Sequence, residues 1–340
     1  MGKTNLKALS GDELKEFVKT QGLPVYRAKQ LIHWIYEKRA DGVDKITELS
    51  KDLRKKLSEI SYISNLMPLE RKTSSDGTEK FLFGLEDGES IESVLIPDED
   101  RLTLCISSQA GCAMGCKFCL TGAIGLRRNL KAYEIVDQVI NVGRIVVPKK
   151  ITNIVFMGMG EPLHNLDEVS EAIERLREFM HFSGRRITVS TAGFVPKILE
   201  LSKRAPQVNL AVSLNATTDE TRGKIMPINK KYPIKALMDS LRKYPLSPRR
   251  TITFEYVIIK GLNDSAEDAR RLINLIKGIP SKVNLIPFNE YEGCGFKRPE
   301  EEAVLSFQKI LTDGGMTALI RKSKGRDIFA ACGQLRAGYS

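Results

Sequence analysis

The sequence predicts an α/β fold in which a small N-terminal helical domain and a β-hairpin precede a larger unit of alternating strands and helices. Three observations point there. Apolar residues recur at helical spacing up to about residue 65. The period shortens to two between residues 78 and 97, and from about residue 101 extended runs alternate with helical stretches to near residue 321.

The helical part comes first. Ser10 and Glu13 have capping-box spacing for a helix running to Gly22. Ala28, Leu31, Ile32, Ile35 and Tyr36 mark a second helix, and Leu49, Leu53, Leu57 and Ile60 a third. The remaining faces carry Lys29, Lys38, Arg39, Lys51, Arg54, Lys55 and Lys56. Trp34 and Tyr36 suit either base stacking or core packing, and packing is the simpler reading.

Phe81, Phe83 and Leu85 then alternate, Asp87-Gly88 supplies a hairpin turn, and Ile91 to Ile96 resumes an extended run that holds Glu92. Glu92 between Ile91 and Ser93 reads most simply as a solvent-facing carboxylate. Strands follow at 102–107, 151–157, 186–190, 208–214, 251–258, 282–287 and 317–321, with helices such as 132–146 and 166–180 between them. That alternation implies βαβ units and a parallel sheet, open or curled into a full or partial barrel, with chemistry at the C-terminal strand ends. The chain divides into a basic helical accessory domain (1–65), a β-hairpin bridge (66–97), a (β/α) barrel core (98–321) and a C-terminal loop (322–340).

A net charge of +11 suits a polyanionic partner, although a Lys-rich solvated surface would give the same balance. No run of 18 apolar residues exists, and the N-terminus lacks the apolar segment of a signal peptide, so a cytoplasmic protein is expected.

Four of the six cysteines, Cys105, Cys112, Cys116 and Cys119, fall within 15 residues. Three of them have C-x3-C-x2-C spacing. Three thiolates on a four-iron cube leave one iron open to a ligand. Gly111 and Gly115 let such a loop wrap tightly, and Phe118 can shield the cluster. Structural zinc is the alternative, with Cys105 or one of His33, His164 and His181 as fourth ligand, but no second short ligand pair lies near. Cys105 otherwise reads as a small buried hydrophobe, Cys332 as part of a small-residue turn, and Cys294 has no assigned role.

The three-cysteine loop with its aromatic residue resembles the radical S-adenosylmethionine (SAM) superfamily, and Met157-Gly158-Met159-Gly160-Glu161-Pro162 resembles that superfamily's SAM-binding turn. Over nearly the full chain the resemblance narrows to the adenine-C2 methyltransferases of 23S ribosomal RNA and transfer RNA. Ser107–Cys112, Met157–Pro162, Ser190–Gly193, Ser213–Ala216, Met226–Lys231, Pro287–Asn289 and Ala330–Leu335 carry it.

This resemblance implies a partial (β/α) barrel of the radical SAM type, with one [4Fe-4S] cluster on Cys112, Cys116 and Cys119. It implies SAM contacts at Gly160, Glu161, Ser190, Ser213, Leu214, Asn215 and Asn289. The family more often has His where Asn215 stands, which puts a side-chain contact there in question. The implied reaction methylates C2 of an adenosine in the peptidyl-transferase centre and of adenosine 37 in tRNAs, using two SAM molecules per turnover. Cys332 is implied as the methylated cysteine, Cys105 as the partner that resolves it through a disulfide, and Glu92 as the base. A low-potential donor such as flavodoxin or ferredoxin, a monomeric state and no membrane partner complete the expectation. Methylation at C8, a zinc-stabilised RNA-binding protein and a radical SAM enzyme acting on a small molecule are the rival readings.

Overall fold

The computed structural model describes residues 2–337. In the N-terminal module Thr4–Asn5 (β1) pairs in parallel with Ser61–Tyr62 (β2) around Gly11–Thr20 (α1), Tyr26–Ile32 (α2) and Lys51–Ile60 (α3). Ser10 and Glu13 form the expected capping box. A single π-turn, His33–Glu37, extends α2, with the Lys38 N–H reaching His33 O. Tyr36 is buried against Phe179, so packing is its role.

Next come Met67–Thr73 (β3), Glu79–Gly84 (β4), Ser90–Asp98 (β5) and Arg101–Cys105 (β6), an antiparallel meander. The expected hairpin is β4–β5. Its exposed outer neighbour β3 has no apolar alternation to announce it. Pro68, Arg71, Lys72 and a register shift near Pro68 make β3 a poor template for further pairing.

The remaining elements are Gln109–Gly111 (β7), Leu120–Ile124 (α4), Leu126–Asn129 (β8), Ala132–Ile145 (α5), Asn153–Phe156 (β9) and Leu166–Glu178 (α6). Then follow Ile187–Thr191 (β10), Val195–Arg204 (α7), Asn209–Ser213 (β11), Asp219–Ile225 (α8), Ile234–Arg242 (α9) and Ile252–Ile258 (β12). Ala266–Ile276 (α10), Ser281–Pro287 (β13), Glu301–Asp313 (α11) and Ala318–Ile320 (β14) end the series.

One ten-stranded sheet runs β14-β13-β12-β11-β10-β9-β6-β5-β4-β3, and its strands β6 and β9 to β14 are all parallel. Strand order there follows chain order without reversal. Right-handed crossovers in an unreversed order put every helix on one face, and the sheet curls away from them. Among the described residues β14 pairs only with β13, so the barrel is partial.

The two faces differ in chemistry. Ile154, Phe156, Val189, Leu210, Val212, Phe254, Tyr256, Val283 and Leu285 are buried under the helices. In register on the other face lie Ser190, Ala211, Thr253 and Lys282, and beside them Ser213, Glu255 and Asn284. Parallel strands buried on both sides read as continuous apolar runs. These alternate, so the concave face holds a polar cavity.

An enclosed ion pair joins the N-terminal module to the barrel. Lys7 Nζ meets Asp137 on α5 and also donates to Ser64 O (2.6 Å), while Asp137 Oδ2 accepts the Leu66 N–H (2.9 Å). Burial pulls the Lys7 pKa down and pushes that of Asp137 up. Among the described residues no helix is long and apolar enough to cross a membrane.

Candidate active site

The cysteine loop is a hairpin excursion closed at its neck. β7 pairs with β8, and the Cys112 N–H donates to Gly125 O (2.9 Å). At Gly111 (φ +74°) a Cβ would stand 1.9 Å from Gly125 O, so no other residue closes that neck. Cys119 precedes α4 as its N-cap residue. Met114, Cys116 and Phe118 pack with Ile225, Met226, Ile228, Phe288 and Phe296 in an apolar shell.

Burial raises all three thiols, Cys112 to about 12, and their charges repel one another. Three such thiols become thiolates only when a cationic core compensates them, as an iron–sulfur cluster does. Three thiols within one short loop are a donor set that fits an iron–sulfur cluster.

Beside the loop stands the turn after β9. Gln109 joins them: its Oε1 accepts the Glu161 N–H (2.9 Å), and its Nε2 donates to Asn129 Oδ1 (2.7 Å). A Cβ on Gly160 (φ +104°) would lie 2.6 Å from Gln109 Cβ. Glu161 is buried and accepts the Ala192 N–H (2.6 Å) and the Leu163 N–H (3.1 Å); burial outweighs these bonds and pushes its pKa up to about 7.

Ser190 and Ser213 share the concave face, and among the described residues no protein group engages their hydroxyls. Among the described residues, Asn289 Oδ1 is a buried acceptor without a protein partner, as is Gln334 Oε1. These groups suit a polar ligand such as SAM.

Two positions behave differently. Leu214 is a core side chain; its N–H donates to Glu255 O and its carbonyl accepts from Arg222. Asn215, at φ +58°, donates through Nδ2 to Met226 Sδ (3.3 Å) and accepts the Val257 N–H (2.8 Å). Its carboxamide is committed within the protein.

The C-terminal loop brings Cys332 to this place. Leu120 N–H donates to Gly333 O (2.7 Å), Thr121 Oγ1 to Leu335 O (2.6 Å), and Asn289 Nδ2 to Cys332 O (3.4 Å). Cys332 keeps accessible surface although protein groups crowd its thiol. Burial raises its thiol pKa; Glu255 and Cys119 add to that, and Arg321 opposes it. Cys105, at the end of β6, is buried, and its thiol is raised by burial and by the charge of Cys332. The two thiols are close enough for their charges to interact although they stand 227 positions apart in the chain, at 105 and 332. All six cysteines are free thiols, so the expected Cys105–Cys332 disulfide is absent from this state.

Glu92 corrects the solvent-facing reading. It is 4% exposed, its Oε1 pairs with Lys80 Nζ (3.0 Å) and its Oε2 accepts the Arg336 N–H (2.8 Å). Lys80 also donates to Phe329 O (3.2 Å). Val94 pairs with Cys105, so Glu92, two residues before it, lies on the Cys105 face.

Sequence reasoning missed Lys80, Glu255 and Arg222. Glu255, raised to about 6 by burial and bonded to Asn284 Nδ2 (2.9 Å), lies near Cys332. A lone carboxylate in Thr251–Ile258 was the signal available for it.

Comparison with known proteins bears on this arrangement. A radical SAM superfamily profile matches residues 106–273, and one described as the ribosomal RNA large subunit methyltransferase N-terminal domain matches residues 4–63. "Dual-specificity RNA methyltransferase RlmN" from Pelobacter propionicus is 54% identical, covering 98% of this chain and 96% of its own. The protein of that name from Geobacter sulfurreducens is also 54% identical, with 98% and 92% covered. The crystal structure of a radical SAM methyltransferase from Sphaerobacter thermophilus superposes with a TM-score of 0.94 at 44% identity, covering 98% of this chain and 99% of that one.

Proposed function

This chain belongs to the family of dual-specificity RNA methyltransferases named RlmN, radical SAM enzymes, and on that premise we propose that it methylates C2 of an adenosine in 23S rRNA and of adenosine 37 in tRNAs. What most supports the proposal is that the Cys105 and Cys332 charges interact, that Glu92 lies on the Cys105 face, and that Gly333, next to Cys332, is bonded to Leu120, next to Cys119.

C2 of adenine is an electron-poor carbon without a lone pair, so direct attack on a SAM methyl group is closed to it. A [4Fe-4S] cluster on Cys112, Cys116 and Cys119 would supply the electron for radical cleavage of SAM. Every other task falls to side chains. Cys332 accepts a methyl group from one SAM as a thioether, and loss of a hydrogen atom from that methyl group to the 5′-deoxyadenosyl radical of a second SAM would leave a carbon radical that bonds C2. Glu92, held by Lys80 and the Arg336 amide, faces the Cys105 side of the sheet and is placed to take the C2 proton. Once the adduct has given up one electron to the oxidised electron carrier, the Cys105 thiolate attacks Cys332 sulfur, the C–S bond breaks and the freed carbon takes up a proton, giving the methylated base and a disulfide for an external reductant to open. The disulfide is thus a stage of turnover.

In this reading residues 1–65 grip folded RNA through its backbone, and the loop 322–340 carries the methyl group. Gly160, Glu161, Ser190, Ser213 and Asn289 hold SAM, with backbone surroundings alone contributed at Leu214 and Asn215. A flavodoxin or ferredoxin supplies electrons to a monomeric cytoplasmic enzyme.

Anaerobic incubation with SAM, a reductant and unmodified 23S fragments or tRNA, followed by nucleoside analysis, tests the proposal. 2-Methyladenosine is expected; 8-methyladenosine or unmodified RNA would overturn it. With Cys105→Ala, a covalent RNA–protein adduct should accumulate, and normal turnover would remove Cys105 from the scheme.

A further inference from the structure

Arg222 is fully buried at the start of the segment that backs the cysteine loop. Its guanidinium donates to Leu214 O (3.0 Å), Asn229 Oδ1 (3.0 Å), Ala192 O (2.7 Å) and Ser213 O (3.3 Å). All four acceptors are neutral. Asp219, a nearby carboxylate, is engaged by Asn229 Nδ2 (3.0 Å) and by the Ile234 N–H (2.8 Å). A buried cation hydrogen-bonded only to neutral groups is costly, and here burial draws its pKa down to about 10.

Its surroundings point at the cysteine loop. Cys116 packs among Ile225 and Met226, the end and C-cap of the same short helix that carries Arg222. The Lys117 N–H donates to Ile225 O (2.9 Å), fixing the loop on the end of α8. The fork also spans the C-terminal ends of β10 and β11. Gly193 (φ +98°) leaves room for it, since a Cβ there would stand 3.1 Å from Arg222 Nη2. Three separated stretches, Ser190–Gly193, Ser213–Ala216 and Met226–Lys231, therefore meet on one guanidinium.

We propose that Arg222 is a positioning residue: its charge is matched by the cluster's Cys116 thiolate and raises the cluster's reduction potential, while its fork aligns the β10 and β11 ends that receive SAM. The assignment rests on the cluster reading above. Reduction adds one negative charge to the cluster, and a fixed cation in a low-dielectric shell stabilises the reduced form more than the oxidised one.

The test is a midpoint-potential titration of the reconstituted enzyme, followed by the EPR signal of the dithionite-reduced cluster, with SAM affinity measured in parallel. Arg222→Gln should shift the potential to more negative values; Arg222→Lys, which keeps the charge, should hold it near wild type. Both lose the fork, so both should bind SAM roughly tenfold more weakly, the equivalent of one charged hydrogen bond. Asn229→Asp leaves Arg222 in place and sets a carboxylate against it, so the potential should again fall; this variant decides the matter if Arg222→Gln does not fold. An unchanged potential in Arg222→Gln or Asn229→Asp, or an equal shift in Arg222→Lys and Arg222→Gln, would overturn the assignment. A wild-type chain that assembles no iron–sulfur cluster would instead overturn the cluster reading on which it rests.

Discussion

The cysteine loop and the C-terminal loop meet at Gly333 and are built on opposite principles. The cysteine loop is closed locally, by the β7–β8 neck and an apolar shell that contains Met114, Cys116 and Phe118. The C-terminal loop sinks Ala330, Leu335 and Ala337 into the core and is otherwise hung between distant elements by polar bonds. Asp327 accepts from Ser74 Oγ (2.5 Å) and Ser75 N–H (3.1 Å), Asp76 Oδ2 accepts the Gly325 N–H (2.9 Å), and Ser90 Oγ donates to Ala337 O (2.7 Å). Lys80, Glu92 and Thr121 complete the suspension. An apolar local shell suits permanent ligation of a cluster, whereas a polar suspension places an accessible thiol while leaving its neighbours free to exchange partners.

The largest expected effect separates the two loops outright. Cys332→Ala should abolish RNA methylation, a loss on the order of a thousandfold or more, while retaining wild-type iron and sulfide content. Cys116→Ser should lose both the iron and the activity. Iron loss in Cys332→Ala would show that the loops are not separable.

Next in size is the suspension itself. Lys80→Met leaves Glu92 buried without its cation, and breaking such a pair costs about 3 kcal/mol. Urea unfolding should register that loss, together with faster proteolysis near Phe329. An unchanged midpoint would mean that the pair holds nothing.

How much of this was legible in sequence divides along the same line. The strands at 251–258 and 282–287, the capping box at Ser10 and the three-cysteine spacing are local signals, and the structure places each nearly where its period predicts. Asp137 sits inside an ordinary amphipathic helix and Lys7 before the first one, so nothing local announces that they pair. Glu92 reads as solvent-facing until β4 and the C-terminal loop close over it. Arg222 looks like one more basic residue on a short helix. Its burial follows from three strand and loop ends meeting around it, which no sequence period encodes.

Smaller effects sharpen the contrast. Burial resists ionisation of Asp76, but hydrogen bonds from the Thr78 and Gly325 N–H groups outweigh it and hold its pKa down to about 2. A carboxyl depressed from 3.8 contributes stability that is fully present above that ordinary value and is lost as pH falls through about 2. Limited proteolysis should therefore find residues 322–330 equally protected from neutral pH to about pH 4, and Asp76→Asn less protected throughout. Protection lost near pH 5 in the wild type would contradict this.

The smallest effect falls outside both loops. Lys55→Glu with Lys56→Glu, on the exposed face of α3, should weaken RNA binding. Its salt dependence should flatten by about one unit of slope for each RNA phosphate left without its lysine, with iron content and loop protection unchanged. Unaltered RNA affinity would move the RNA grip away from this helix.

Peptide mapping of the protein incubated with SAM and reductant in the absence of RNA tests the central claim most directly. A methyl group is expected on the peptide bearing Cys332, with Cys105 unmodified, and should disappear when RNA substrate is added. Active enzyme whose Cys332 stays unmodified throughout turnover would contradict it.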